Sequence, residues 1–219
     1  MIPLFPLGSP LFPGMVLPLH IFEQRYRELV RDLVAEAESG ARAAFGVVAI
    51  REGHEVGEDA ATALADVGCL AELRAVSALP DGRFEIVTTG SRRFAVERVH
   101  SGPATYLQAS VQWIDERGGE DPFSIAERAR AVFASYREVA PQPETGAGDE
   151  LPEDPTLLSY ALGAAVQLPS RDRQRVLAAI DTTERLRLLV ALMVRERAVL
   201  EQFGAVPAEG LLRTDVSPN

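Results

Sequence analysis

The residues that could carry chemistry are few. The sequence holds three histidines, one cysteine and no lysine, so all 22 basic side chains are arginines. Without lysine there is no phosphate-gripping P-loop lysine, no Schiff base and no Ser-Lys dyad. His20 and Glu23 have the H-x-x-E spacing that sets two metal ligands on one helical turn. No third ligand stands at a telling spacing, and a histidine before a helix with a first-turn glutamate accounts for the pair. His54 falls in a charged loop and His100 at a strand end, and no G-x-S-x-G or other nucleophile motif accompanies them. Cys69 sits in the apolar run VGCLAEL and reads as a buried, inert thiol. A single cysteine also excludes an intrachain disulfide and Cys-rich zinc sites. Gly8, Gly14 and the Gly118–Glu120 stretch read as turns rather than a phosphate loop. The acidic stretches Glu52–Asp59 and Glu144–Asp154 read as solvated loops. No catalytic residue, metal ligand or cofactor site is expected.

Apolar residues offer a different kind of chemistry, that of recognition. Phe12, Met15, Leu17, Phe22 and Tyr26 could line a groove for unfolded peptides, or they could fill a core. In GMVLPLH, strand alternation puts Met15, Leu17 and Leu19 on one face and Val16 and Pro18 on the other. Both faces are apolar, which leaves hydrophobic surface to be covered by a helix or by a partner. Trp113, the lone tryptophan, is a similar candidate on an outer strand. Arg92 and Arg93 beside Phe94 could imitate a nucleic-acid stripe. A hairpin base with one arginine inward and one exposed fits better, because the net charge of −10 opposes binding to phosphates.

The composition sets the frame for these residues. With 219 residues, 47% of them hydrophobic, the chain can bury a core as one large domain or two small ones. The N-terminus lacks a basic signal-peptide region and is broken by prolines, and the most apolar helical stretch, Leu186–Val194, is too short to cross a bilayer. A cytoplasmic protein with no membrane partner is expected.

The elements that must position the candidates divide into two halves. Pro3, Pro6, Pro10, Pro13 and Pro18 forbid a helix before Leu19, so extended pieces are expected at Ile2–Leu7 and Met15–Leu19. A helix should follow from Phe22 to Glu38, with Gly40 as its stop. Ala43–Ile50 and Asp66–Leu79 read as strands around a polar loop, Arg51–Leu64. Asp81-Gly82 marks a hairpin turn, Gly90-Ser91 a second turn, and Tyr106–Trp113 alternates as a further strand. Asp121-Pro122 opens the helical half with a helix over Phe123–Val139. Pro141–Pro155 reads as an exposed acidic linker. Helices follow at Thr156–Leu168, interrupted by Gly163, at Arg171–Ile180 capped by Ser170, and from Thr182 or Thr183 to Phe203. The expected division is residues 1–120, 121–204 and a loosely ordered tail, 205–219.

This order, with PLFPL (Pro3–Leu7), FPGMVLPLHIFEQRY (Phe12–Tyr26), FGVV (Phe45–Val48), LPDGRF (Leu79–Phe84) and DPTLLSYALGAAVQLP (Asp154–Pro169), resembles the N-terminal substrate-binding domain of the Lon proteases, in a stand-alone form. The resemblance implies an α+β fold, a PUA-like β pseudo-barrel with one main helix followed by a C-terminal helical bundle. It implies a non-catalytic module that binds polypeptide substrates or a partner protein, as an adaptor for proteolysis or quality control. The ATPase and protease parts of that family have no counterpart in these residues. Weak homo-oligomerisation stays open. Two alternatives stand beside this reading: a PUA-like nucleic-acid binder, and a small hydrolase without a familiar motif.

Overall fold

Proline spacing and strand alternation in the first half, and helical periodicity in the second, produce the architecture seen in the computed structural model. It describes residues 1–53, 61–100, 104–140 and 151–203. The strands are β1 (Ile2–Leu7), β2 (Val16–Ile21), β3 (Ala44–Gly53), β4 (Ala61–Leu64), β5 (Val67–Ala78), β6 (Phe84–His100) and β7 (Gln108–Trp113). The helices are α1 (Gln24–Glu38), α2 (Pro122–Arg137), α3 (Pro155–Ala165), α4 (Ser170–Ala178) and α5 (Thr182–Phe203). The fold is α+β, and no helix among the described residues is long and apolar enough to cross a membrane.

A circuit of strand pairings closes on itself: β1 with β7, β7 with β6, β6 with β5, β5 with β3, and β3 with β1. The pairing of β1 with β3 is parallel and the others are antiparallel, so the closed sheet hides most of its edges. The lower half of β6 extends past this ring and carries β2 along Phe84–Thr89. Helix α1 buries Tyr26, Leu29, Val30 and Leu33 under this region, against Phe5, Ile21, Phe45 and Ile86. A smaller cluster of Leu4, Val48, Phe94 and Ala109 fills the other end. The helical half has its own core, with Leu158, Leu162, Leu186, Leu189 and Met193 at its centre. Phe12 belongs to that helical core although it lies on the β1–β2 connection.

Several expectations change. Gly90-Ser91 is not a turn: β6 runs unbroken for 17 residues, with an irregularity where it pairs with Cys69 and Ala71. Gly90 is needed for close approach instead, because a Cβ there would collide with the Phe12 carbonyl oxygen. The stretch Arg51–Leu64 is not all loop, since β3 reaches Gly53 and Ala61–Leu64 pairs with it as β4. Gly163 does not interrupt α3; it lets the Phe12 ring lie against the helix, where a Cβ would be 2.9 Å from Phe12 Cε1. Ser170 does not cap α4, and its hydroxyl donates to the Gly8 carbonyl at 2.5 Å. The start of α5 is capped by Asp181, whose Oδ1 accepts from the Glu184 N–H, rather than by either threonine. Residues of the expected linker at 141–150 and the tail at 205–219, and His54, lie outside the described residues.

Candidate functional site

Two open hollows share one wall. The first, about 200 Å³, is lined by Leu7, Ser9, Pro10, Leu11, Met15, Leu17 and Leu19. The second, about 120 Å³, continues along Leu7, Leu19, Ile21, Phe22 and Tyr26. Both lie between β1 and β2, which run antiparallel as the arms of a splayed hairpin. No ladder joins them, since β1 pairs with β3 and β7 while β2 pairs with β6.

The backbone of this seam follows from register. The Gly90 N–H donates to the Met15 carbonyl, and Thr88 Oγ1 to the Leu17 carbonyl. By alternation the polar groups of Met15, Leu17 and Leu19 turn to β6, and those of Val16, Pro18 and His20 turn away from it. On β1, the Leu4 N–H donates to the Leu107 carbonyl on the β7 side, so Pro6 turns the same way. Each arm therefore sets a proline, with no N–H to offer, at its seam-facing position. This is how edge strands avoid indiscriminate pairing while keeping carbonyl acceptors.

The structure divides the six recognition candidates. Phe12 is fully buried and lines no open surface: its ring packs on α3 and its carbonyl on β6. Tyr26 is buried too, stacked on Phe5 with ring centroids 4.1 Å apart, and it forms part of the floor of the second hollow. Met15 and Leu17 are half-buried and line the first hollow. Phe22 is 49% exposed at the rim of the second. Trp113 is partly exposed on β7, edge-on to Phe94 with the Arg92 guanidinium over its ring, and lines neither hollow.

The titratable candidates are accounted for by local partners. His20 Nε2 lies 3.1 Å from Arg83 Nη1, and Glu23 pairs with Arg25, so the H-x-x-E residues face cations rather than a shared metal position. His100 meets Ser110 Oγ at 2.8 Å. Among the described residues no group of acidic, His or Cys side chains is arranged to hold a metal. Cys69 is fully buried, and that burial pushes its thiol up to about 12.

Sequence reasoning missed one polar constellation. Arg93 and Arg185 are both fully buried and share the carboxylate of Glu116, at 2.9 Å and 3.1 Å. Tyr160 donates to the same carboxylate at 2.5 Å, and the Arg185 guanidinium stacks over the Tyr160 ring. Arg93 also donates to the Leu177 and Ala179 carbonyls, which joins β6 to the helical half. Partial burial works against the Glu116 charge. The hydrogen bonds from Arg93 and Tyr160 and the two guanidinium charges outweigh it and hold the carboxyl below its usual range. This is a structural joint, away from both hollows. The inward Arg93 and exposed Arg92 match the expected hairpin-base pattern, though on one continuous strand.

The family model of the ATP-dependent protease La (LON) substrate-binding domain matches residues 1–195. The chain is 30% identical over 207 residues to a Lon protease of Anaeromyxobacter dehalogenans, and 30% identical to Lon protease 2 of Myxococcus xanthus. In both cases the match covers 91% of this chain and 24% of the relative, so the chain spans about a quarter of their length. Among solved structures, the fold matches the Lon N-terminal domain protein from Xanthomonas campestris, with a TM-score of 0.60 and 24% identity over 87% of this chain and 96% of that one. It also matches the N-terminal domain of Mycobacterium avium complex Lon protease, with a TM-score of 0.63 and 21% identity over 88% and 97%.

Proposed function

The chain belongs to the LON substrate-binding domain family, and from that premise we propose that it is a non-catalytic module that binds extended, apolar polypeptide segments along the seam between β1 and β2. The observation that carries this reading is the pair of unladdered arms with apolar hollows between them. A single extended chain fits such a gap. Its side chains would alternate into the hollows while its N–H groups meet the carbonyls of Pro6, Val16, Pro18 and His20. The six residues of β2 span about 20 Å at ~3.3 Å per residue, room for a segment of similar length. The closing circuit of strand pairings supports the PUA-like pseudo-barrel reading for residues 1–120. The separate core of α2–α5 supports a helical bundle within 121–204. The net charge of −10 favours polypeptide over nucleic acid. The family match is consistent with an adaptor role in proteolysis or quality control, which we place within the same proposal.

A titration tests it. An N-terminally labelled apolar peptide is followed by fluorescence anisotropy against the wild type, Phe22→Glu and Trp113→Ala. Phe22 is exposed, so its replacement should leave the melting temperature unchanged. Affinity should fall about tenfold or more, the scale of one lost aromatic contact. Trp113→Ala should bind as the wild type does. Unchanged affinity in Phe22→Glu, or loss in Trp113→Ala alone, would contradict the seam.

A further inference from the structure

Helices α2 and α5 run side by side in the same direction. Their starts meet where Thr183 Oγ1 donates to the Gly118 and Glu120 carbonyls, just before α2. Further along, Arg128, Ala131, Val132 and Ser135 of α2 and Val194 and Arg197 of α5 line one open groove of about 280 Å³. The wall is apolar between the two arginines, and Val194 is 53% exposed. Both charged residues of the groove are cations, although the whole chain carries −10. Arg197 Nε donates to Glu201, while Arg128 has no carboxylate partner among the described residues. Arg128 stands toward the helix starts and Arg197 toward the end of α5. An acidic, apolar segment would complement this surface.

The chain itself carries one. It continues from α5 with residues 204–219, which lie outside the described residues. Their sequence, GAVPAEGLLRTDVSPN, presents an acid, two leucines and a second acid in order: Glu209, Leu211, Leu212 and Asp215. The groove presents the complementary order from the same end: Arg197, then Val194 and Val132, then Arg128. At helical spacing Leu211, Leu212, Asp215 and Val216 share one face and Arg213 falls on another, the pattern of a segment laid into a groove. The connection is long enough. From Phe203 back to Arg197 is about 9 Å at ~1.5 Å per helical residue, whereas the residues before Glu209 reach about 16 Å at ~3.3 Å each. Gly204 and Pro207 suit a reversal, since glycine ends helices and proline cannot continue one. A segment on so short a tether meets its site at an effective concentration on the order of millimolar, so a weak contact is enough to hold it.

We propose that the groove between α2 and α5 is the docking site of this chain's own residues 209–216, with Leu211 and Leu212 against Val132 and Val194 and Asp215 paired with Arg128.

The test uses the full chain, with a nitroxide on Ser217→Cys. Cys69 is fully buried and stays unmodified. 15N–1H spectra are compared before and after the nitroxide is reduced. The Ala131 and Val132 amides should lose most of their intensity while the nitroxide is active, and those of β2 should keep theirs. Adding Leu211→Ser and Leu212→Ser should return the α2 signals, with the tether unchanged. Arg128→Glu should return them as well, and Asp215→Arg added to Arg128→Glu should broaden them again. Thermal melts confirm that the variants are folded. Full intensity at Ala131 and Val132 in the labelled chain would overturn the proposal, as would broadening that survives the two serine changes. Labelled 14N protein mixed with unlabelled 15N protein should leave the groove amides sharp. Broadening in that mixture would assign the groove to a second copy and overturn docking by the chain's own segment.

Discussion

Glu116 shows how much one side chain can decide. It is the shared counter-charge of two fully buried guanidiniums, so Glu116→Gln would keep the shape and remove the compensation. Breaking such a pair from one side costs about 3 kcal/mol or more, because uncompensated charges stay behind in the interior. Urea unfolding of Glu116→Gln should show a midpoint lowered accordingly with an unchanged slope. The same residue gives a pH dependence. Its carboxyl is held below the ordinary range in the folded state, so its contribution is complete above about pH 4.3, the unfolded value, and is lost as pH falls through the folded one. The wild type should therefore lose more stability on acidification than Glu116→Gln does. Parallel curves would mean that Glu116 is not the acid-sensitive joint. Only part of this was legible beforehand. The alternation around Arg92-Arg93 implied one inward arginine. Its partner was invisible, because Glu116 reaches residues 23, 44 and 69 positions away.

At the scale of elements, β6 separates what local pattern can show from what packing decides. A Gly-Ser pair between alternating runs has the composition of a turn, yet the strand continues through it. The glycine serves a neighbour instead: its N–H donates to the Met15 carbonyl, its own carbonyl accepts from the Gly14 N–H, and the Phe12 backbone rests on its bare Cα. The contact is with a residue distant in sequence, so no window of the sequence could have shown it. Gly90→Ala should push the β1–β2 connection away from β6 at a cost of about 1–3 kcal/mol, the range for overpacking a close contact. A lowered melting temperature is the readout, and unchanged stability would show that the connection is not pinned there. The prolines, by contrast, were read correctly as barring helix before Leu19. Their second role, at the seam-facing positions of β1 and β2, depends on a register that only the pairing with β3 and β6 establishes.

Across the whole molecule, a sheet half and a helical half are joined by the Phe12 plug, the Glu116 network and the hydrogen bonds of Ser170 to Gly8 and Gln174 to Val67. The α+β class and the order of elements were legible because strand alternation, helix stops and family motifs all point the same way. The binding surface was not. Phe12, Met15, Leu17, Phe22 and Tyr26 share one continuous motif, but the splay of β1 from β2 decides which of them face a hollow, and that splay follows from each arm pairing elsewhere. Peptide binding between β1 and β2 is tested residue by residue in a 15N–1H correlation spectrum recorded while an apolar peptide is added. Binding along the seam should shift the Leu7, Val16, Leu17, Leu19, His20 and Phe22 amides and leave those of Trp113 and the outer faces of α2 and α5 unmoved. Shifts confined to the helical half, or saturable binding with no shift along β1 and β2, would contradict it.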